Sequence, residues 1–159
     1  MSARTKSRKR ALDILFGADL RELPIAGLLD EEAGRAEATP QRESSWAYAR
    51  DIVEGVDSHL GDLDAVIRAH AQGWPLERMP VLDRALARIG AWEILYNDEV
   101  PDGVAISEAV ELASLLSTED SAGFLNGLLG AIARDAAASP SVLPGVPSDG
   151  NAPDSDEPA

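Results

Sequence analysis

Apolar residues along this chain recur at three- and four-residue intervals, the spacing that lines up one face of an α-helix, and no period-2 run typical of a strand competes with them. Seven helical stretches follow. The first runs from Ser7 to Leu20, with Leu12, Leu15 and Phe16 on one side, and stops before Pro24. Ile25 to Ala38 forms a weaker second helix, closed by Thr39-Pro40. Ser44 or Ser45 is expected to cap a third through Trp46, Tyr48, Ile52, Val53 and Val56. Gly61 then punctuates the chain, and Asp62 or Asp64 opens a fourth helix through Val66, Ile67 and Ala71. After the break at Gly73-Trp74-Pro75, Pro80 suits the first turn of a fifth helix, where a missing N–H costs nothing. Its stripe is Leu82, Leu86 and Ile89, flanked by Ala85, Trp92 and Tyr96, and it ends around Asn97. Asp102 is expected to cap the sixth helix. Thr118 caps the seventh, whose Phe124, Leu125, Leu128, Leu129 and Ile132 make a buried stripe ending near Ala138. The fold class is all-α.

Composition sharpens the picture at both ends. Only 4% of residues are aromatic while 45% are hydrophobic, so the core rests on Ala, Leu, Val and Ile, which suits packed helices. Half of the ten prolines fall after Ser139, beside Asp149, Asp154, Asp156 and Glu157 and no base. Such a segment buries too little apolar surface to offset its ordering entropy, so 139–159 reads as a disordered acidic tail behind a helical domain at 7–138. The net charge of −14 is unevenly spread. Residues 1–10 carry Arg4, Lys6, Arg8, Lys9 and Arg10 and no acid, a basic N-terminal arm on a body of −19. An acidic protein with one basic arm binds a polyanion locally, which a whole-chain isoelectric point hides.

Several classes of chemistry find no footing. There is no cysteine for a disulfide or thiolate site, and His59 and His70 are too far apart for a helical metal pair, so no cofactor or metal is expected. No nucleophile sits in a recognisable setting and no glycine-rich phosphate loop follows a strand, which argues against an enzyme. No apolar run is long enough to span a bilayer, and the basic start leads into no signal-peptide core, so a cytoplasmic protein is expected.

Three segments together resemble the NusB family. One is Arg4-Thr-Lys-Ser-Arg-Lys-Arg10 with Ala11-Leu-Asp-Ile-Leu-Phe16. Another is Met79-Pro-Val-Leu-Asp83-Arg84-Ala-Leu-Ala-Arg88-Ile-Gly-Ala-Trp92-Glu93-Ile-Leu. The third runs from Val100-Pro-Asp-Gly-Val-Ala-Ile-Ser-Glu108 to Ser121-Ala-Gly-Phe124-Leu-Asn126-Gly127-Leu-Leu, close to the family's S-x-x-F-V-N-G-V-L ending. The likeness covers about residues 4–135, with Leu125 and Leu128 where valine is usual and Asp13 where an uncharged polar residue is common. It implies two packed helix groups and a transcription antitermination factor. Such a factor binds single-stranded boxA RNA jointly with the small-subunit ribosomal protein NusE, on RNA polymerase, in support of ribosomal RNA transcription. NusB-like domains also precede RNA methyltransferase domains, but here a tail stands where an α/β unit would follow.

Residue types and resemblance together nominate a site. Arg4, Lys6, Arg8, Lys9 and Arg10 would meet RNA phosphate, where lysine and arginine release condensed counterions. The alternative is a solvated chain end. Phe16 is read either as core or, by resemblance, as a ring near the RNA, since single strands are held between aromatic faces and cations. Asp120 and Phe124, one turn apart at the start of the last helix, suit the helix dipole and the core; the resemblance sets them beside the first helix and the RNA. Glu77 and an exposed Asp83 could face a basic ribosomal protein. Glu93 is expected to be a structural hydrogen-bonder, and Gly127 to permit close helix packing. Monomer and homodimer are both left open.

Overall fold

The structure is a computed structural model and describes residues 2–38 and 43–138. Expectations for 139–159 fall outside the described residues. Among those described there are seven α-helices and no strand: α1 Ala3–Leu20, α2 Ile25–Ala38, α3 Glu43–Ser58, α4 Leu60–His70, α5 Val81–Tyr96, α6 Asp102–Leu116 and α7 Glu119–Ala138, with a 3-10 turn at Leu76–Arg78 before α5. They form two groups. α1, α2 and α3 pack on one another, α4, α6 and α7 pack around α5, and α5 touches both groups.

The role of α5 follows from its composition. Ala85, Ala87, Gly90 and Ala91 leave room for neighbours, while Leu86, Ile89, Trp92, Ile94 and Leu95 fill the space between them, so the helix is buried nearly all round. Helices hydrophobic on every side belong in a core. Leu12 and Leu15 of α1, Ile52 and Val53 of α3, Leu63 and Ile67 of α4, Leu112 of α6 and Leu125 and Leu129 of α7 close around it. By contrast α2 buries only Leu29 and Ala36, in keeping with its weak apolar pattern.

Helix ends depart from expectation in instructive ways. α1 begins four residues before Ser7, because Ser2 caps it: its Oγ accepts the Thr5 N–H at 3.1 Å. The basic arm is therefore the first two turns of a helix, which fixes the direction in which each cation points. α3 starts at Glu43, so Ser44 and Ser45 lie inside its first turn, and Ser45 is buried and bonded to Arg10 instead of capping. Gly61 does not separate α3 from α4; only His59 stands between them, its ring stacked on Tyr96 with centroids 3.9 Å apart. Pro80 and Pro101 are cap residues, one position before α5 and α6, and Asp102 sits in the first turn of α6, where an acid suits the dipole. Thr118 caps α7 as expected, accepting the Ser121 N–H at 3.1 Å.

Glycine positions correct a further expectation. A Cβ at Gly127 would meet nothing within 4 Å, so this residue permits no close packing. The close approaches are elsewhere: at Gly55 a Cβ would lie 2.1 Å from the Trp92 Nε1, and at Gly90 2.6 Å from a Leu129 methyl. Gly55→Ala should therefore lower stability by about 1–3 kcal/mol through overpacking against a rigid indole. Gly127→Ala should leave it unchanged or raise it by up to about 1 kcal/mol. Urea midpoints of the two variants check this; equal midpoints would show that α3 and α5 can slide apart freely.

Candidate functional site

Helical geometry sorts the basic residues of α1 into an inner and an outer set. Arg8 belongs to the inner set, a correction to its expected place on RNA: it is 3% exposed. Its Nε and Nη2 donate to both Glu93 oxygens at 2.9–3.1 Å, and Nη1 lies 3.8 Å from Glu108. Tyr48 donates its hydroxyl to the same Glu93 and accepts from Asn97 at 3.2 Å. Burial works against the Arg8 charge, yet the hydrogen bonds and attraction of Glu93 outweigh it and hold the pKa above the ordinary arginine value. Burial, then the Glu93 carboxylate, push the Tyr48 phenol well above the usual tyrosine range, so it stays a donor. Glu93 is thus the structural hydrogen-bonder expected of it.

The outer set faces solvent. Lys6 is exposed, and Lys9 pairs with Asp13 across one turn at 2.7 Å. Arg4 lies over the Tyr48 ring, 3.9 Å from its centroid; Arg10 lies 5.1 Å from the Trp46 ring and donates to Ser45 at 3.0 Å. These contacts hold two guanidinium groups against α3. Phe16, seven residues after Lys9, falls on the same flank of α1 and is half-buried, with no ring partner among the described residues. This arrangement — cations on a rigid helix with an aromatic beside them — can hold phosphate and stack a base.

Of the remaining candidates, Asp120 and Phe124 lie in the first turns of α7 and Glu77 in the turn before α5. Asp120 is exposed in the first turn of its helix. Phe124 is half-buried, edge-on to Trp74 at 4.6 Å, so the chain before α5 and the first turns of α7 form one surface. Glu77, in the 3-10 turn, is exposed and accepts from Arg68 at 2.6 Å; that hydrogen bond lowers its pKa and keeps it anionic. α1 packs chiefly on α2, α3 and α5, and α7 on α4, α5 and α6, so α5 is the element the two share.

Asp83 is not exposed, contrary to expectation. It is fully buried, its two oxygens accepting from Ser117 at 2.9 Å and Ser121 at 2.6 Å. A first-turn acid on an apolar helix reads as solvent-facing, and only the hydroxyls brought by the α6–α7 turn make burial tolerable. Sequence reasoning also passed over Arg84 and Arg88. Arg84 donates to Asp19 at 2.7 Å, and Arg88 to Asp64 at 2.8 and 3.0 Å, tying α5 to α1 and α4. Their i, i+4 spacing was the available signal. Among the described residues no group of three or more His, Asp or Glu could hold a metal ion.

The buried pair makes a test of its own. Glu93→Ala should cost about 3 kcal/mol, because it strands the Arg8 charge, whereas Arg8→Met with Glu93→Leu should recover most of that stability. Melting curves of the two variants would show the idea wrong if the double variant were the less stable.

Comparison with known proteins agrees with this architecture. The NusB family model matches residues 5–134. The transcription antitermination protein NusB of Leifsonia xyli subsp. xyli (strain CTCB07) is 62% identical over 135 residues, which is 85% of this chain and 94% of that protein. Its namesake from Salinispora arenicola (strain CNS-205) is 54% identical over 134 residues, covering 84% and 97%. Among solved structures, T. maritima NusB aligns with a TM-score of 0.73 at 28% identity over 85% of this chain and 93% of its own. A crystal structure of antitermination factors NusB and NusE in complex with dsRNA shares the fold, with a TM-score of 0.73 at 24% identity over 85% and 98%. With a family model spanning most of its length and relatives this similar, the chain belongs to the NusB family.

Proposed function

We propose that this chain is an antitermination factor that binds boxA-type single-stranded RNA together with the ribosomal protein NusE, in the cytoplasm, as part of a complex on RNA polymerase that supports ribosomal RNA transcription. Membership in the family makes it a transcription antitermination protein and not an enzyme. The observation that carries the RNA reading is the outward basic face of α1: Arg4, Lys6, Lys9 and Arg10 on a helix whose inner side is anchored by Arg8. Arg8 serves RNA only by setting the pitch and register of that helix.

Partner binding falls to the second cluster. Glu77, Asp120 and the Trp74–Phe124 pair offer an acidic and aromatic surface to a basic protein or to the RNA held beside it. Asp83 contributes from beneath by fixing the α6–α7 turn that presents Asp120. A fold relative is named as a complex of NusB, NusE and dsRNA, which supports a joint site and makes duplex RNA the competing ligand to test.

Replacing Lys6 and Lys9 with Ala should weaken single-stranded RNA binding and reduce the slope of log K against log salt by about 0.7 for each phosphate no longer neutralised, while Arg8→Ala should lower the melting temperature as well. Fluorescence anisotropy across a salt series checks this, with a hairpin duplex as second ligand; an unchanged slope would remove α1 from the interface. NusE should tighten RNA binding, and RNA should tighten NusE binding by the same factor. Glu77→Lys should reduce NusE affinity more than affinity for RNA alone. Equal reductions in both, measured by calorimetry, would contradict separate surfaces.

A further inference from the structure

One cavity opens off the basic face at Arg10. A groove of about 390 Å³ runs between α1 and α2, lined by Arg10, Ile14, Gly17, Arg21, Leu28 and Glu31 among others. That volume is in the range of small-ligand pockets, and its mouth is open to solvent. Arg10, Ile14 and Gly17 of α1 and its C-cap Arg21 are spaced four, three and four apart, a stripe about 16 Å long with Asp13 beside it. Lys6 precedes Arg10 by one turn, so the basic face runs into the groove without a break.

The lining has the complementary parts of a nucleotide. Ile14, Gly17 and Leu28 make an apolar floor; a Cβ at Gly17 would lie 3.2 Å from a Leu28 methyl, so a side chain there would press on Leu28 and fill part of the groove. Asp13, Glu32 and Arg35 at the rim are already engaged, in the Lys9–Asp13 and Glu32–Arg35 pairs. Arg10 is held by Ser45 and Trp46. Arg21 and Glu31 are different: both are exposed, and among the described residues neither side chain has a partner. One is a phosphate donor, the other an acceptor for base amino and imino hydrogens.

We propose that the α1–α2 groove is a subsite for one unpaired nucleotide of the same RNA strand, next to the stretch held on the outer face of α1. Its base rests on Ile14, Gly17 and Leu28, Arg21 takes the phosphate, and Glu31 accepts from the base edge. A carboxylate accepts from the guanine N1–H and amino group together, which favours guanine over uracil, whose single edge donor is N3–H. This rests on the RNA reading above and extends it to a second element of the fold.

The test uses the full chain with a labelled boxA-type RNA of roughly 12 nucleotides, and the same RNA lengthened at either end, since single-strand sites span about 4–16 nucleotides. Arg21→Ala should leave binding of the shorter RNA intact. It should weaken one of the lengthened RNAs by about fivefold, the upper end for an exposed charge contact, and lower its salt slope by about 0.7. Glu31→Gln should abolish the preference for guanosine over uridine at the added position. Both residues are exposed, so neither variant should shift the melting temperature. In the unaltered protein, the Gly17 amide and Leu28 methyl resonances should move with the lengthened RNA and stay still with the shorter one. If Arg21→Ala binds every RNA as the parent does while Lys6→Ala with Lys9→Ala weakens them all, the groove is not a subsite and the RNA reading stands. If the parent binds no RNA, both fall. If guanosine monophosphate alone moves Gly17 and Leu28 and the lengthened RNA does not, the occupant is a free nucleotide and the proposal is overturned.

Discussion

The structure depends on how α5 satisfies four charged side chains while buried on nearly every face. A helix so placed could be wholly apolar, but its charged residues reach out to the other elements: Asp83 to the α6–α7 turn, Arg84 to Asp19 at the end of α1, Arg88 to α4 and that same Asp19, and Glu93 to the start of α1 together with α3. Burying such groups is costly unless every one is hydrogen-bonded, and no buried side-chain nitrogen or oxygen among the described residues lacks a partner. The consequence is directional. Apolar contacts among Ala, Leu and Ile tolerate sliding and rotation, whereas a bidentate Arg8–Glu93 contact admits one register. Whatever net stability these pairs contribute, their geometry decides which face of α1 and which part of α7 point outward.

That division explains why one stretch of positive charge does two jobs. Arg4, Lys6, Arg8, Lys9 and Arg10 look equivalent in sequence, yet the helix separates Arg8 from its neighbours. Had the segment stayed an extended arm, all five cations would have been free to follow a polyanion, at the cost of ordering them on binding. As a capped, anchored helix it presents fewer cations in fixed positions. Arg4 and Arg10 lose further freedom against Tyr48 and Trp46. Preorganised donors give up less entropy when they meet a ligand, so a short basic face on a body of strong negative charge can still hold RNA.

Legibility from sequence followed the physics of each feature. The seven helices were visible because apolar spacing and the breakers Pro24, Pro75 and Pro101 are local signals, and the Thr118 cap was visible for the same reason. The start of α1 was missed because Ser2 caps it from within a run of charges that carries no apolar period. The burial of Asp83 and Arg8 could not be read locally at all. It depends on hydroxyls 34 and 38 residues away and on a carboxylate 85 residues away, and nothing in the spacing of α1 or α5 announces them. Gly127 misled for the opposite reason: glycine in a helix suggests a close neighbour, but the neighbour is found at Gly55 and Gly90.

Communication between the two outward clusters has a physical route through the first turn of α5. α1 and the start of α7 are held by adjacent side chains there: Arg84 fastens α1 through Asp19, and Asp83, the residue before it, fastens the α6–α7 turn. Adjacent residues on a helix point about 100° apart, so one turn of α5 holds both surfaces from different sides. A ligand that moved α1 would pull on Arg84 and hence on that turn, where Asp83 sits under Ser117 and Ser121. Coupling between RNA and a protein partner therefore needs no large rearrangement. The turn couples the two surfaces only as far as binding at one shifts a hydrogen bond that also orients the other, and Arg84–Asp19 with Asp83–Ser117 and Asp83–Ser121 are the bonds placed to do so.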